Sequence, residues 1–239
     1  VFIHGWTGNL QVWKNQLDAF PSYRCIGIDL PGNGQSSRRE GIPYTMELFA
    51  DSVRAVMDAE KVENAFLFGH SMGFAVTEVF AAKYPQRCLG IAAIDGAHFE
   101  ISPGPDGPEK FRQENAAFAA AMTNETARED FIRMLFLPET PAALQNEILQ
   151  ASRTVPLSIG QAMIAGVGAD WKYFLPRTVD LPCLAVYSPA YQLPPTYCDD
   201  FARIFPKVEY HEVPNVSHFF MLEIPDQLNQ IIASFIAKH

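Results

Sequence analysis

The segment from Ala65 to Tyr84 constrains the fold more than any other. An apolar run, Ala65-Phe66-Leu67-Phe68, ends in Gly69-His70-Ser71-Met72-Gly73, and an apolar helical pattern from Met72 to Tyr84 follows at once. A serine held between two glycines, with a strand before it and a helix after it, predicts a sharp turn that lifts the hydroxyl clear of a sheet edge. The glycines let the chain pass close to its neighbours. The helix starting at Met72 points its unpaired N–H groups and positive dipole end at that hydroxyl. A strand feeding a helix in this way belongs to a parallel sheet, so the rest of the chain should alternate likewise.

It does. Val1-Phe2-Ile3 runs into His4-Gly5-Trp6, and a second strand, Arg24 to Ile28, ends at Asp29. Leu48, Phe49, Val53, Val56 and Met57 recur at three- and four-residue steps, opposite Asp51, Arg54 and Asp58, which predicts an amphipathic helix between residues 45 and 60. A strand at Gly90 to Ile94 follows the Met72 helix. From Ala97 to Arg177 strands disappear. Helical patterns succeed one another at Glu109 to Met122, Ala127 to Phe136, Pro141 to Arg153 and Ile159 to Val167, so residues 97–177 read as a helical cap inserted into a single domain covering 1–239. The strand pattern returns at Cys183 to Tyr187 and Val208 to Val213, with helices around Tyr197 to Phe205 and from Asp226 to Ala237. The expected class is α/β.

Composition narrows the partners. Of 239 residues 48% are hydrophobic, enough for a large core, and 18 basic against 27 acidic residues leave a net charge of −9. That balance provides no broad positive surface for a phosphate backbone, so no nucleic-acid partner is expected. No apolar run approaches the roughly 18 residues of a membrane helix, and no basic-then-apolar leader opens the chain. No membrane partner is expected either. Cys25, Cys88, Cys183 and Cys198 lie far apart, in no metal-ligand or Cys-x-x-Cys spacing, and read as reduced thiols of a cytoplasmic protein. The oligomeric state is not legible.

A serine hydroxyl is a poor nucleophile until a base takes its proton and a carboxylate holds that base in the right tautomer. His218 is the candidate base, because it sits in Asn215-Val216-Ser217-His218-Phe219-Phe220, a loop after the last strand and before the last helix. His4 ends a strand, His98 and His211 lie in no such loop, and His239 is the last residue. His70 is expected to be structural, its side chain pointing away from the one beside it.

With these residues in hand the chain resembles the α/β-hydrolase superfamily. The resemblance rests on His4-Gly5-Trp6, Asp29-Leu30-Pro31-Gly32-Asn33-Gly34-Gln35-Ser36, Gly69 to Gly73 and Ser217-His218-Phe219, in family order over nearly the whole length. It implies an oxyanion hole made by the backbone N–H groups of Trp6 and Met72, and a structural role for the loop that starts at Asp29. In two respects the chain departs from the pattern. The antiparallel hairpin that usually precedes the His-Gly strand is absent before Val1. The usual position of the acid, after the strand ending at Tyr187, holds Ser188-Pro189-Ala190-Tyr191-Gln192-Leu193-Pro194-Pro195, with no carboxylate. Asp95, directly after Ile94, is the expected replacement, since that strand ends at the same edge and some members carry the acid there. Asp199, Asp200 and Glu100 are weaker candidates, and an Asp-Gly pair at 95–96 also suits a plain turn.

The resemblance implies a serine hydrolase, carboxylesterase-like, that opens an ester of a small, mainly apolar substrate with Ser71, His218 and Asp95 and without cofactor or metal. A serine rather than an aspartate at position 71 argues against haloalkane or epoxide chemistry. Phe118, Met122, Met134, Phe136, Met163, Ile164 and Trp171 suggest an apolar roof, although the same residues also suit packing of the cap against itself. Two other readings stand beside this one. The displaced acid and the proline-rich 188–195 segment are similar to those of cofactor-independent dioxygenases that cleave 3-hydroxy-4-quinolones, whose substrate-binding histidine has no counterpart in Thr7-Gly8-Asn9. A ligand-binding signalling module on the same fold is the other.

Overall fold

The computed structural model describes residues 1–239 except Ala97, Glu100, Ser102, Pro103 and residues 190–196, and at Tyr197 and Asp200 it describes the backbone alone. Six strands, β1 (Phe2–Ile3), β2 (Gly27–Ile28), β3 (Ala65–His70), β4 (Cys88–Ile94), β5 (Cys183–Tyr187) and β6 (Val208–Glu212), form one sheet in the order β2-β1-β3-β4-β5-β6. Every pairing is parallel. The helices are α1 (Lys14–Leu17), α2 (Met46–Ala59), α3 (Met72–Lys83), α4 (Gly107–Ala121), α5 (Glu125–Arg133), α6 (Ala142–Arg153), α7 (Leu157–Ala169), α8 (Tyr197–Ile204), α9 (Phe220–Glu223) and α10 (Pro225–Lys238).

The strands are apolar on both faces because both are covered. Along β4 and β5, Ile91, Ala93, Cys183, Ala185 and Tyr187 join the core shared with α2, α3 and α8. Ala92, Ile94, Leu184 and Val186 alternate onto the other face, against α9 and α10. Helix α3 is buried continuously from Met72 to Ala81, which explains its lack of a polar stripe, whereas α2 buries Met46, Phe49, Ala50, Val53 and Met57 and leaves its other side wet. Thr45 starts α2 by accepting the Leu48 N–H at 3.1 Å. Strand β2 is shorter than the Arg24–Ile28 run suggests. It is an edge strand whose partner β1 is itself two residues long, with Phe2 N–H donating to Ile26 O at the boundary.

This topology decides where a site can form. From β1 the chain steps outward to β2, then returns past β1 to β3 and continues in the opposite direction, so loops leaving β1 and β3 diverge and open a crevice. Because the strands are parallel, the segments after β1, β3, β4 and β6 all emerge at the same edge. Between β4 and β5 the described residues form α4 to α7 and a short 3-10 turn, Trp171–Phe174, with no strand among them. Asn124 caps α5 by accepting the Ala127 N–H at 3.0 Å. No described helix is long and apolar enough to cross a membrane.

Candidate active site

Ser71 sits between the last residue of β3 and the first residue of α3, with φ 51° and ψ −126°. For a residue with a Cβ this left-handed conformation is strained by about 1–3 kcal/mol, and the surroundings must hold it. They do so through tight backbone packing. A Cβ on Gly69 would lie 2.5 Å from the Gly73 carbonyl, and a Cβ on Gly73 would lie 2.5 Å from Ile3 O. The two glycines are therefore required for the crossing of the turn, α3 and β1. The Ser71 N–H reaches across to Ile94 O at 3.3 Å. Met72 is the first residue of α3, so its N–H has no acceptor within the helix.

Strain gathers around this edge. Of the five described non-glycine residues with left-handed φ, four flank the site: Thr7 after β1, Ser71 after β3, Asp95 after β4 and Asn215 after β6. At Asp95 (φ 45°) the backbone N–H donates to Val186 O at 2.8 Å. The carboxylate accepts from two groups, the Ser188 N–H at 2.9 Å on Oδ1 and His218 Nδ1–H at 2.6 Å on Oδ2. Ser188 occupies the position after β5 where the acid is absent, and its N–H orients Asp95 instead. Its hydroxyl donates to Val216 O at 2.6 Å, which draws the His218 loop toward β5.

With Nδ1–H directed at a carboxylate, the neutral His218 ring keeps its lone pair on Nε2. The backbone of His218 is anchored at both polar atoms. Its N–H donates to Leu135 O at 3.1 Å, and its carbonyl accepts from His70 Nε2–H at 2.9 Å. Glu223, at the end of α9, accepts the Ser217 N–H at 3.0 Å and the Ser217 hydroxyl. Thr140, between α5 and α6, donates to the same carboxylate at 3.2 Å.

Ser71 and His218 open onto one cavity of about 130 Å³, together with Gly5, Trp6 and Thr7 from the segment after β1. Its apolar wall is built by Val12, Phe131, Ile132, Leu135, Ile148 and Phe219. The seven residues singled out as a roof do not line it. Met122, Met163 and Ile164 are buried elsewhere, Met134 is exposed, and Phe118 packs behind the wall against Trp6 and Phe131. Trp6 is held by its own indole N–H, which donates to Gly160 O at 2.8 Å. Thr7 and Ser152 hydroxyls, 2.9 Å apart, tie the segment after β1 to α6.

The remaining candidates are placed as follows. His4 is buried with Nε2 accepting the Leu30 N–H at 3.0 Å and Nδ1–H donating to Gly5 O at 2.7 Å, and burial lowers its pKa. Asp29 uses its two oxygens on the N–H groups of Leu10 and Gln35. Asp199 is exposed on α8, while Glu100 and the Asp200 side chain lie outside the described residues, as do residues 190–195 of the proline-rich segment. His70 departs from expectation. Its side chain turns to the same cavity that Ser71 lines, with its ring 4.5 Å from that of His218 and its Nδ1 3.2 Å from where a Cβ on Gly5 would sit. Among the described residues no three His, Cys, Asp or Glu side chains gather as a metal ion would need.

Comparison with known proteins gives the same fold. The chain is 27% identical over 245 residues to the dihydrolipoyllysine-residue acetyltransferase component of an acetoin cleaving system from Pseudomonas putida, covering 100% of this chain and 63% of that one. The same name in Cupriavidus necator is matched over 26% of its length, so the chain spans less than two thirds of these relatives. It is 27% identical to the AB hydrolase superfamily protein YisY of Bacillus subtilis over 98% of this chain and 90% of that one. A thermophilic esterase from Thermogutta terrifontis superposes with a TM-score of 0.80 at 25% identity, covering 99% of this chain and 88% of that one. A family model described as alpha/beta hydrolase fold matches residues 1–160, which contain the strained serine turn and Asp95, and the chain belongs to the α/β-hydrolase superfamily.

Proposed function

We propose that this protein hydrolyses carboxylic esters of small, mainly apolar substrates through an acyl-enzyme on Ser71. The observation that carries the reading is the 2.6 Å contact of Asp95 with His218 Nδ1, which makes Nε2 the ring nitrogen able to take a proton, in a residue that lines the same cavity as Ser71. Ser71 Oγ attacks the acyl carbon as its proton passes to His218 Nε2, and the N–H groups of Trp6 and Met72 receive the charge on the carbonyl oxygen. The acyl C–O bond breaks, and the departing alkoxide takes the proton from His218. Water then gives a proton to His218 and its oxygen to the acyl carbon, and Ser71 is released with its proton restored. Asp95 stays ionised and stabilises the imidazolium in both halves. Every step uses groups of this chain, so the reading includes no cofactor.

The small cavity with mostly aliphatic and aromatic walls supports a short apolar acyl or alkoxy group, and the similarity to a thermophilic esterase agrees in reaction class. All four cysteines are free thiols, which suits a reducing compartment, and we place the protein in the cytoplasm. The test is a pair of assays on one preparation: release of a nitrophenol from short-chain aryl esters, and oxygen uptake with a 3-hydroxy-4-quinolone. Ester turnover that disappears in Ser71→Ala, without oxygen uptake, is the expected result. Oxygen uptake that persists in Ser71→Ala and vanishes in His218→Ala would replace hydrolysis with ring cleavage on the same fold.

A further inference from the structure

We propose that His70 is a positioning residue for His218, locking the backbone of the base to the strand that carries the nucleophile and thereby setting the rate at which Ser71 is acylated. The inference rests on the serine-ester reading above.

His70 Nε2 lies 2.9 Å from the His218 carbonyl. A carbonyl only accepts, so the proton is on Nε2. The ring is buried, packed edge-on against Trp13 at 6.4 Å and beside Phe219 at 5.4 Å, and burial together with the neighbouring His218 and His4 holds its pKa well below the ordinary histidine value. It is therefore neutral, with a bare lone pair on Nδ1. That Nδ1 is buried, has no hydrogen-bond partner, and lies 3.2 Å from where a Cβ on Gly5 would sit.

A residue kept only for packing at such a position would be apolar, because an unmatched buried acceptor is penalised and leucine or phenylalanine brings none. What the imidazole supplies and an apolar side chain cannot is the donor to the His218 carbonyl. This bond differs in kind from the other anchors of the base. Leu135 holds the His218 N–H from the helical segment and Asp95 holds the ring from β4, but His70 is covalently adjacent to Ser71. Nucleophile and base are thus mounted on one rigid piece, and displacements of about 1 Å between reacting groups lower rates by about 10²-fold. Neutrality matters as well. A cation with its ring 4.5 Å from His218 would oppose the imidazolium that forms there during acylation.

The experiment compares His70→Leu, His70→Gln and His70→Asn in the full chain. Gln carries an amide N–H near the position of imidazole Nε2, whereas the shorter Asn does not reach it. Three quantities are read: the fraction of chains labelled by a fluorophosphonate, the rate of that labelling, and kcat with KM on an aryl ester. For His70→Leu the expected result is full labelling, with labelling rate and kcat each reduced about 10- to 100-fold and KM within about twofold of wild type. His70→Gln should recover to within about fivefold of wild type. A merely structural role would lower the labelled fraction and leave the rate per active chain unchanged. Should His70→Leu fail to fold, Gln and Asn carry the same contrast, with Gln fast and Asn slow. Wild-type rates in His70→Leu, or equal impairment of Gln and Asn, would overturn the proposal. A wild-type chain that takes no label overturns the serine reading along with it, a result distinct from both.

Discussion

Ser71→Ala should lower kcat for an aryl ester by about 10⁴- to 10⁶-fold while leaving KM and the melting temperature close to wild type. In the proposed mechanism serine, base and acid act as one unit, so removing the nucleophile would also idle His218 and Asp95. In that mechanism what remains above the rate in water would come from binding and from the proposed N–H donors of Trp6 and Met72. Stability should hold, because both Ser and Ala carry a Cβ and meet the same penalty at φ 51°. Steady-state kinetics with a thermal melt on the same samples checks both halves. A variant within tenfold of wild type would remove Ser71 from the chemistry.

Asp95→Asn should cost about 10⁴-fold in kcat with the fold intact. Asparagine tolerates the left-handed backbone at this position, so the turn after β4 survives. The chemistry does not. Asp95 accepts two hydrogen bonds, from Ser188 N–H and His218 Nδ1–H, and an amide has only one oxygen for them. If that oxygen keeps Ser188, the amide N–H₂ faces His218 and the imidazole must turn its lone pair to Nδ1. The proton then sits on Nε2, which can no longer accept one from Ser71. Near-wild-type turnover in Asp95→Asn beside an inactive Asp199→Asn or Asp200→Asn would move the acid to α8.

These two variants address residues that the amino-acid order makes legible for physical reasons. Ser71 is visible because a strand, two close-approach glycines and a helix are contiguous, and each constrains the next. Asp95 is visible because it ends a fully apolar strand, and parallel pairing delivers every such strand end to one edge. The family resemblance contributes the expectation that an acid is needed there. What supports these residues is harder to see. Glu223 lies six residues from Ser217, yet its role depends on a one-turn helix folding back so that its carboxylate reaches the loop. His70 sits 148 positions from the carbonyl it holds. Alternation along β3 stops at His70, because Ser71 already lies in the turn at φ 51°, and it says nothing of which loop covers the imidazole.

The helical segment shows the same limit. Alanine-, methionine- and phenylalanine-rich patterns mark α4 to α7 as helical, but many large residues share those helices and the pattern does not say which ones reach Ser71. The cavity wall uses Phe131, Ile132, Leu135 and Ile148, from α5, the turn after it and α6, whereas the more conspicuous Met163 belongs to α7 and packs near Asn33 in the main core. Choosing among them requires the crossing of helices over the sheet, a long-range property that no local window contains.

The most direct measurement of the central claim is mass analysis of the chain quenched in acid during turnover of an aryl ester whose acyl group deacylates slowly. The account predicts one acyl group per chain, located on the peptide that contains Ser71, formed in a burst with the first equivalent of nitrophenol and absent from Ser71→Ala. An unmodified Ser71 while ester is consumed, or an acyl group carried on another residue, would contradict it.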